Sequence, residues 1–189
     1  MAEFFDSIND KVRAFIARQH VFFTATAAEG ARINLSPKGL DAFRVLGPNE
    51  VCYLDRTGSG NETAAHIRSD GRLTIMMCAF EGPPNILRLY GKGRVLPRGS
   101  AAYEKVIAEE FGGEEPVVAR QIIALDVESV QTSCGFGVPS YEYKAERKSL
   151  ANYWANTDED PSTYRRENNM VSIDGIPTGH REDEEAPAK

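Results

Sequence analysis

Apolar positions in this chain follow helical spacing first and strand spacing afterwards. Phe4, Phe5, Ile8, Val12, Phe15 and Ile16 recur three or four residues apart, which predicts an amphipathic helix over 5–18. Residues 21–26 are β-branched and aromatic, Ala28-Glu29-Gly30 reads as a turn, and residues 32–36 read as a second strand, so the pair predicts a hairpin. Pro37 and Gly39 are expected to interrupt that strand. Short strands follow at 43–46 and 51–54, separated by Gly47-Pro48-Asn49. The glycine loop 57–63 then enters a short helix at 64–68 that stops near Asp70-Gly71. Residues 73–80 are nearly all apolar, as in a strand buried on both faces. After Gly82-Pro83-Pro84 comes a long strand at 86–96 that contains Gly91 and Gly93, where glycine marks a bulge, a bend or a close approach. A helix at 101–111 ends at Gly112-Gly113, and a long strand covers 120–132.

This order predicts a mainly β fold with flanking helices. Hairpin-length connections imply antiparallel pairing, and five to seven such strands suit a small barrel or sandwich. No internal repeat is visible. The expected domain spans 1–156, with 157–189 as a polar, acidic extension that is extended or partly disordered and solvated, its start pinned by Trp154.

Charge changes the picture. The 189-residue chain carries a net charge of -6, yet residues 21–99 hold ten bases against seven acids, a local surplus of three positive charges. The overall acidity argues against a nucleic-acid partner. No apolar run approaches the roughly 20 residues of a membrane helix, and the N-terminal stretch lacks a signal-peptide core. Cys52, Cys78 and Cys134 are odd in number and widely spaced, which fits reduced thiols and a cytoplasmic location.

The basic stretch contains three candidate anion contacts. In the glycine loop a strand ends at Leu54-Asp55 and a helix begins near Asn61, so unpaired N–H groups would face the loop. Ser59, Asn61 and Thr63 would add side-chain bonds, and Ser59 with Glu62 matches a capping box, whose ordinary meaning is a well-capped surface helix. The second candidate is Asn34-Leu35-Ser36-Pro37-Lys38-Gly39, where Lys38 offers a mobile positive charge, although an exposed lysine at a strand end is commoner. The third is Arg88, which needs an anionic partner if its face of the strand is buried and means nothing if it faces solvent. A dianionic phosphate would explain all three.

Other patterns carry less. Gly58-x-Gly60-x-x-Thr63 approximates a dinucleotide fingerprint but lacks the third glycine and the strand–helix alternation. His20, His66 and His180 have no ligand spacing with one another or with the cysteines, so no metal site is expected. Cys134-Gly135-Phe136-Gly137-Val138-Pro139 would either cap a pocket or form a plain turn with a buried, inert thiol, the commoner arrangement.

The segments 21–26, 33–39, 51–55, 58–66, 73–80 and 87–93 together resemble the pyridoxamine 5'-phosphate oxidase-like family, and more narrowly a bacterial branch of flavin-binding proteins with S-P-K-G, G-S-G-N-E-T-x-x-H and S-C-G-[FY]-G-V-P signatures. The resemblance covers about residues 1–155. It implies a split β-barrel and a homodimer with flavin mononucleotide (FMN) in clefts at the interface. It further implies cofactor contacts from Asn34, Leu35, Ser36, Lys38, Asp55, Ser59, Gly60, Asn61 and Thr63, with Arg88 reaching the cofactor of the other subunit. Vitamin B6 oxidases carry an Arg-Lys pair where this chain has Asn61-Glu62, and they end in an Arg-rich segment that this chain lacks. The implied function is therefore an FMN-dependent oxidoreductase acting on an unidentified small molecule, not a pyridoxamine phosphate oxidase. The alternatives are a non-enzymatic flavin or haem carrier or sensor, with His66 or Cys134 as the available axial ligands, and a barrel kept only as a dimerisation scaffold.

Overall fold

A computed structural model describes residues 2–115 and 118–180. The strands are β1 (Glu3–Phe5), β2 (Phe22–Thr26), β3 (Asn34–Lys38), β4 (Phe43–Gly47), β5 (Glu50–Arg56), β6 (Arg72–Cys78), β7 (Ile86–Pro97) and β8 (Ala119–Ser133). The helices are α1 (Asp10–Ile16), α2 (Glu62–Ser69), α3 (Ala101–Glu110), α4 (Ser149–Asn156) and α5 (Pro161–Asn168). The strands form one sheet in the order β3-β2-β6-β7-β8-β5-β4, with β1 also on β8. Every pairing between these strands is antiparallel. Mainly β with flanking helices is thus the observed class. The two ends of the path, β3 and β4, do not pair with each other, which leaves the barrel split.

β8 is the hub of the sheet. Its partner along nearly the whole length is β7, from Ile86↔Ser133 to Pro97↔Gln121. Its other edge takes β5 over its first half and β1 over its last residues. The core is the buried apolar faces of these strands: Val51, Tyr53 and Leu54 on β5, Leu73 and Ile75 on β6, Leu87 and Leu89 on β7, and Ile122, Ile123 and Leu125 on β8. Each such aliphatic side chain contributes roughly 1.5–3 kcal/mol on burial. A bulge between Tyr90 and Gly91 lets β7 follow the barrel curve, and a side chain at Gly91 would collide with the Asp126 carbonyl.

Several expectations are corrected. The 5–18 helix is instead β1 followed by α1, because Asn9 takes an extended backbone and its side chain accepts a bond from Val12 N (3.0 Å), starting the helix there. Pro37 does not break its strand. It pairs with Phe23 inside β3, where the edge position makes its missing N–H harmless. β6 alternates buried and half-buried residues rather than being covered on both faces. The Cys134 loop is a turn, with Val138 N bonded to Gly135 O (2.9 Å), but its thiol is exposed, not buried.

The largest correction concerns residues 157–180, part of a stretch expected to be extended or partly disordered and solvated. Asp160 caps α5 through Thr163 N (2.8 Å), and Pro161 opens it. Trp154 packs edge-on against Tyr164, joining α4 to α5. Arg165, Asn169, Ser172 and Thr178 are all buried. Residues 181–189, which hold four of the tail's acids, lie outside the described residues. No helix among the described residues is long and apolar enough to cross a membrane.

Candidate functional site

The alternation of β3 decides which of its side chains meet the glycine loop. Asn34, Ser36 and Lys38 share the half-buried face, whereas Leu35 points the other way and is 67% exposed. Asn34 Nδ2 donates to Thr26 Oγ1 (3.0 Å) on β2 and to Thr63 Oγ1 (2.9 Å) on α2, which ties the edge strand to the helix. β5 ends at Asp55 and Arg56, and the loop 57–61 carries the chain into α2. Between these elements lies a cavity of about 330 Å³ lined by Asn34, Ser36, Lys38, Asp55, Arg56, Gly58, Ser59, Gly60, Asn61, Glu62, Thr63 and Arg120. Eight of the ten residues singled out from the sequence meet here. Leu35 and Arg88 do not. Arg88 sits on β7, opposite Gln131 of β8, and its guanidinium donates to Ser133 Oγ (3.2 Å).

The electrostatics are set by a buried ion pair that sequence reading missed. Arg120, 2% exposed at the start of β8, donates through Nε and Nη2 to Asp55 Oδ2 (3.1 and 2.7 Å). Gln121 Nε2 bonds the same oxygen (2.8 Å), and Lys38 Nζ lies 3.5 Å from Oδ1. Burial alone would raise the Asp55 pKa. The charge of Arg120, then that of Lys38, and the bonds from Gln121 and Arg120 outweigh it and hold Asp55 below the ordinary carboxylate value. Asp55 therefore lines the cavity while holding Arg120, Gln121 and Lys38. Across the cavity, Lys38, Arg56 and Arg120 face Asp55 and Glu62, three cations against two carboxylates.

The expected capping box does not form. Asn61 is the N-cap residue of α2, yet its side chain makes no cap bond. Instead Asn61 Oδ1 accepts from Gln121 Nε2 (2.8 Å) and Asn61 Nδ2 donates to Asn169 O (3.1 Å). Glu62 turns toward the tail, accepting from Ile173 N (3.3 Å) and passing over Gly60, where a Cβ would strike its carboxylate. The first-turn N–H groups of α2 are thus left without a side-chain cap, facing a cavity with surplus positive charge. Such a terminus stabilises an anion.

The tail completes the frame. Arg165 Nη1 donates to Thr57 Oγ1 (3.0 Å), and Asn169 Nδ2 donates to Gly58 O (2.9 Å) while its Oδ1 accepts from Arg120 Nη1 (2.8 Å). The signal for α5 was present in Asp160-Pro161, but nothing in its polar sequence marked the face that docks. Next to Arg165 and Arg120, burial first and those two charges second lower the His180 pKa to about 4.

A second, larger cavity of about 1020 Å³ lies at the end of β3, around Pro37, Lys38 and Gly39. It is lined by Phe15, His20, Pro37, Lys38, Phe80, Tyr141 and Tyr143 among others, and His20 stacks on Tyr143 at 3.6 Å. Lys38 lines both cavities. His66, an axial ligand in the haem alternative, is 1% exposed and bonds Thr26 Oγ1 through Nδ1 (3.1 Å), while its Nε2 is buried without a hydrogen-bond partner. Among the described residues no group of three or more His, Cys, Asp or Glu could hold a metal ion.

A split antiparallel barrel with an anion-ready helix terminus beside its edge strand defines the class. The chain belongs to the pyridoxamine 5'-phosphate oxidase family, whose description matches residues 8–134. A protein of Aspergillus flavus, described as pyridoxamine 5'-phosphate oxidase family protein ustO, is 37% identical over 198 residues, covering 95% of this chain and 79% of that one. Among solved structures, the HupZ protein of Group A Streptococcus superposes with a TM-score of 0.52 at 20% identity over 65% of this chain and 91% of its own. HutZ from Vibrio cholerae, described as a haem storage protein, gives 0.51 at 18% identity over 68% and 97%. At these identities the two structures speak for the fold alone.

Proposed function

We propose that the chain binds FMN, with the phosphate in the 330 Å³ cavity, and acts as a flavin-dependent oxidoreductase on a small molecule other than pyridoxamine phosphate. One observation carries this reading: the uncapped first turn of α2 faces a cavity in which three cations meet two carboxylates. When bound, FMN would supply hydride and electron transfer. The protein's part is to bind and orient. Backbone N–H groups of α2 would take phosphate oxygens, Ser36 and Ser59 would add hydroxyl bonds, and Lys38 would turn from its long contact with Asp55 to the anion. Asn34 holds β3 against α2 so that these groups converge.

The missing basic pair at Asn61-Glu62 supports the exclusion of pyridoxamine phosphate, as does a tail spent on bracing the loop. On this reading the protein is a homodimer with the cofactor at the interface. Arg88, outside its own cavity, would serve the partner's cofactor.

The test is the visible spectrum of the purified protein, followed by FMN titration of wild type and Lys38→Ala. Flavin absorbance that NADH or NADPH bleaches and air restores is the expected result, with affinity for added FMN weakened roughly tenfold in the variant. A colourless protein that fails to bind added FMN refutes the proposal. A haem spectrum moves the function to the carrier reading, and bound flavin that no donor reduces moves it to a flavin carrier.

A further inference from the structure

The tail reaches the phosphate cavity without lining it. None of the cavity-lining residues comes from 157–180, yet the loop and α2 are bonded to that segment at several points. Asn169 is the centre of these bonds. It is fully buried, and it joins Gly58 O, Arg120 and the Asn61 side chain at once. Its carbonyl is held in turn by Thr178 Oγ1 (2.7 Å).

The consequence lies in what Asn61 is prevented from doing. Asparagine at an N-cap normally turns its side-chain oxygen onto the first-turn N–H groups of its own helix. Here Gln121 holds that oxygen and the Asn169 carbonyl holds the amide nitrogen, so the cap stays open. The Asn169 side chain, through Arg120 Nη1 and Gly58 O, fixes where its own main-chain carbonyl lies; without that anchorage the carbonyl would shift from Asn61, whose side chain could then rotate onto α2 and occupy the N–H groups an anion needs. Loss of the Asn169 side chain would also strip Arg120 Nη1 and Gly58 O of their buried partners.

We infer that Asn169 is a positioning residue that keeps the N-terminus of α2 open for the phosphate of the ligand. This rests on the FMN reading above and assigns the tail a role in phosphate recognition, with no contact to the ligand itself. The segment works as an internal brace, so affinity gained from the phosphate depends on residues far along the chain.

The experiment compares FMN with riboflavin, which lacks the phosphate, by fluorescence quenching on full-length protein. Wild type should bind FMN more tightly than riboflavin. Asn169→Ala should lower FMN affinity roughly tenfold, while riboflavin affinity stays within about twofold. Thr178→Val, close in shape and less disruptive, should move the FMN-to-riboflavin ratio in the same direction and keeps the test valid if Asn169→Ala does not fold. Adding Asn61→Ala to the Asn169→Ala chain should restore part of the ratio, because the competing cap is then gone. A purely structural role would lower both affinities together. Wild type that does not distinguish the two flavins refutes the FMN phosphate reading and this inference with it. Wild type that does distinguish them, with an unchanged ratio in both Asn169→Ala and Thr178→Val, refutes the inference alone.

Discussion

Replacing Arg120 by Met would remove a buried cation while keeping an unbranched stem of similar bulk. The side chain makes two bonds to Asp55 and one to Asn169, and all three disappear. Breaking a buried pair by deleting one partner costs about 3–5 kcal/mol, because the remaining charge stays desolvated. Gln121 at 2.8 Å and Lys38 at 3.5 Å still face Asp55, which places the expected loss near the lower end, about 3 kcal/mol. For a chain of this length that corresponds to a fall of about 6–12 °C in Tm. The pH dependence sharpens the test. In wild type the folded pKa of Asp55 is depressed, so its contribution is present above the unfolded value and is lost as pH falls below about 3.9 through the folded one. In the variant the sign reverses. Burial without Arg120 raises the folded pKa, so Asp55 penalises folding near neutral pH and ceases to do so once protonated. The difference between the two proteins should therefore be widest near pH 7 and narrow toward about pH 4. Urea unfolding at both pH values measures it, with the slope m as a check that the unfolded state is unchanged. A loss under about 1 kcal/mol near neutral pH, or a gap that does not change with pH, would refute the assignment of Asp55 and Arg120 as a buried ionised pair.

Two further outcomes follow from packing and exposure. Gly91→Ala should destabilise the sheet by about 3 kcal/mol or more, read as a lower urea midpoint, since its Cβ would overlap the Asp126 backbone; a change within about 0.5 kcal/mol would contradict the bulge geometry. Thiol titration of the native protein should find one fast-reacting cysteine, Cys134, with Cys52 (pushed up to about 12 by burial first, then by Glu110) and Cys78 reacting only on unfolding; two or more fast thiols would contradict the burial pattern.

The sheet was legible where side-chain alternation and turn chemistry agreed. The hairpin of β2 and β3, the strand at β5 and the glycine loop into α2 were all visible in the sequence, and so most of the cavity lining was too. What escaped notice was polar and long-range. Arg120 and Gln121 read only as the opening of an apolar strand, and their partner Asp55 lies 65 positions away from Arg120. A charged residue two positions ahead of Ile122-Ile123-Ala124-Leu125 was the available hint that it would be carried inward. α5 buries Arg165 through hydrogen bonds rather than an apolar stripe, and hydrophobic periodicity cannot register that. Arg88 stood apart for a simpler reason: alternation shows that it opposes Leu87 and Leu89, but not which face of the sheet carries a ligand, and the structure places it outside the cavity of its own chain.

The position of β8 at the centre of the sheet has a cost during synthesis. It is the last of the eight strands made, and it alone joins β7 to β5 and β1. Until residues 119–133 emerge from the ribosome, β5 and β7 each expose an unpaired edge, and the apolar faces of both halves have nothing to close on. The barrel cannot be assembled from the N-terminus onward; it must wait for one late, fifteen-residue strand and then close in a single long-range event. Nascent chains stalled before that point carry the bare edges that promote aggregation. The strand that unites the fold is thus also its point of greatest vulnerability as the chain is made.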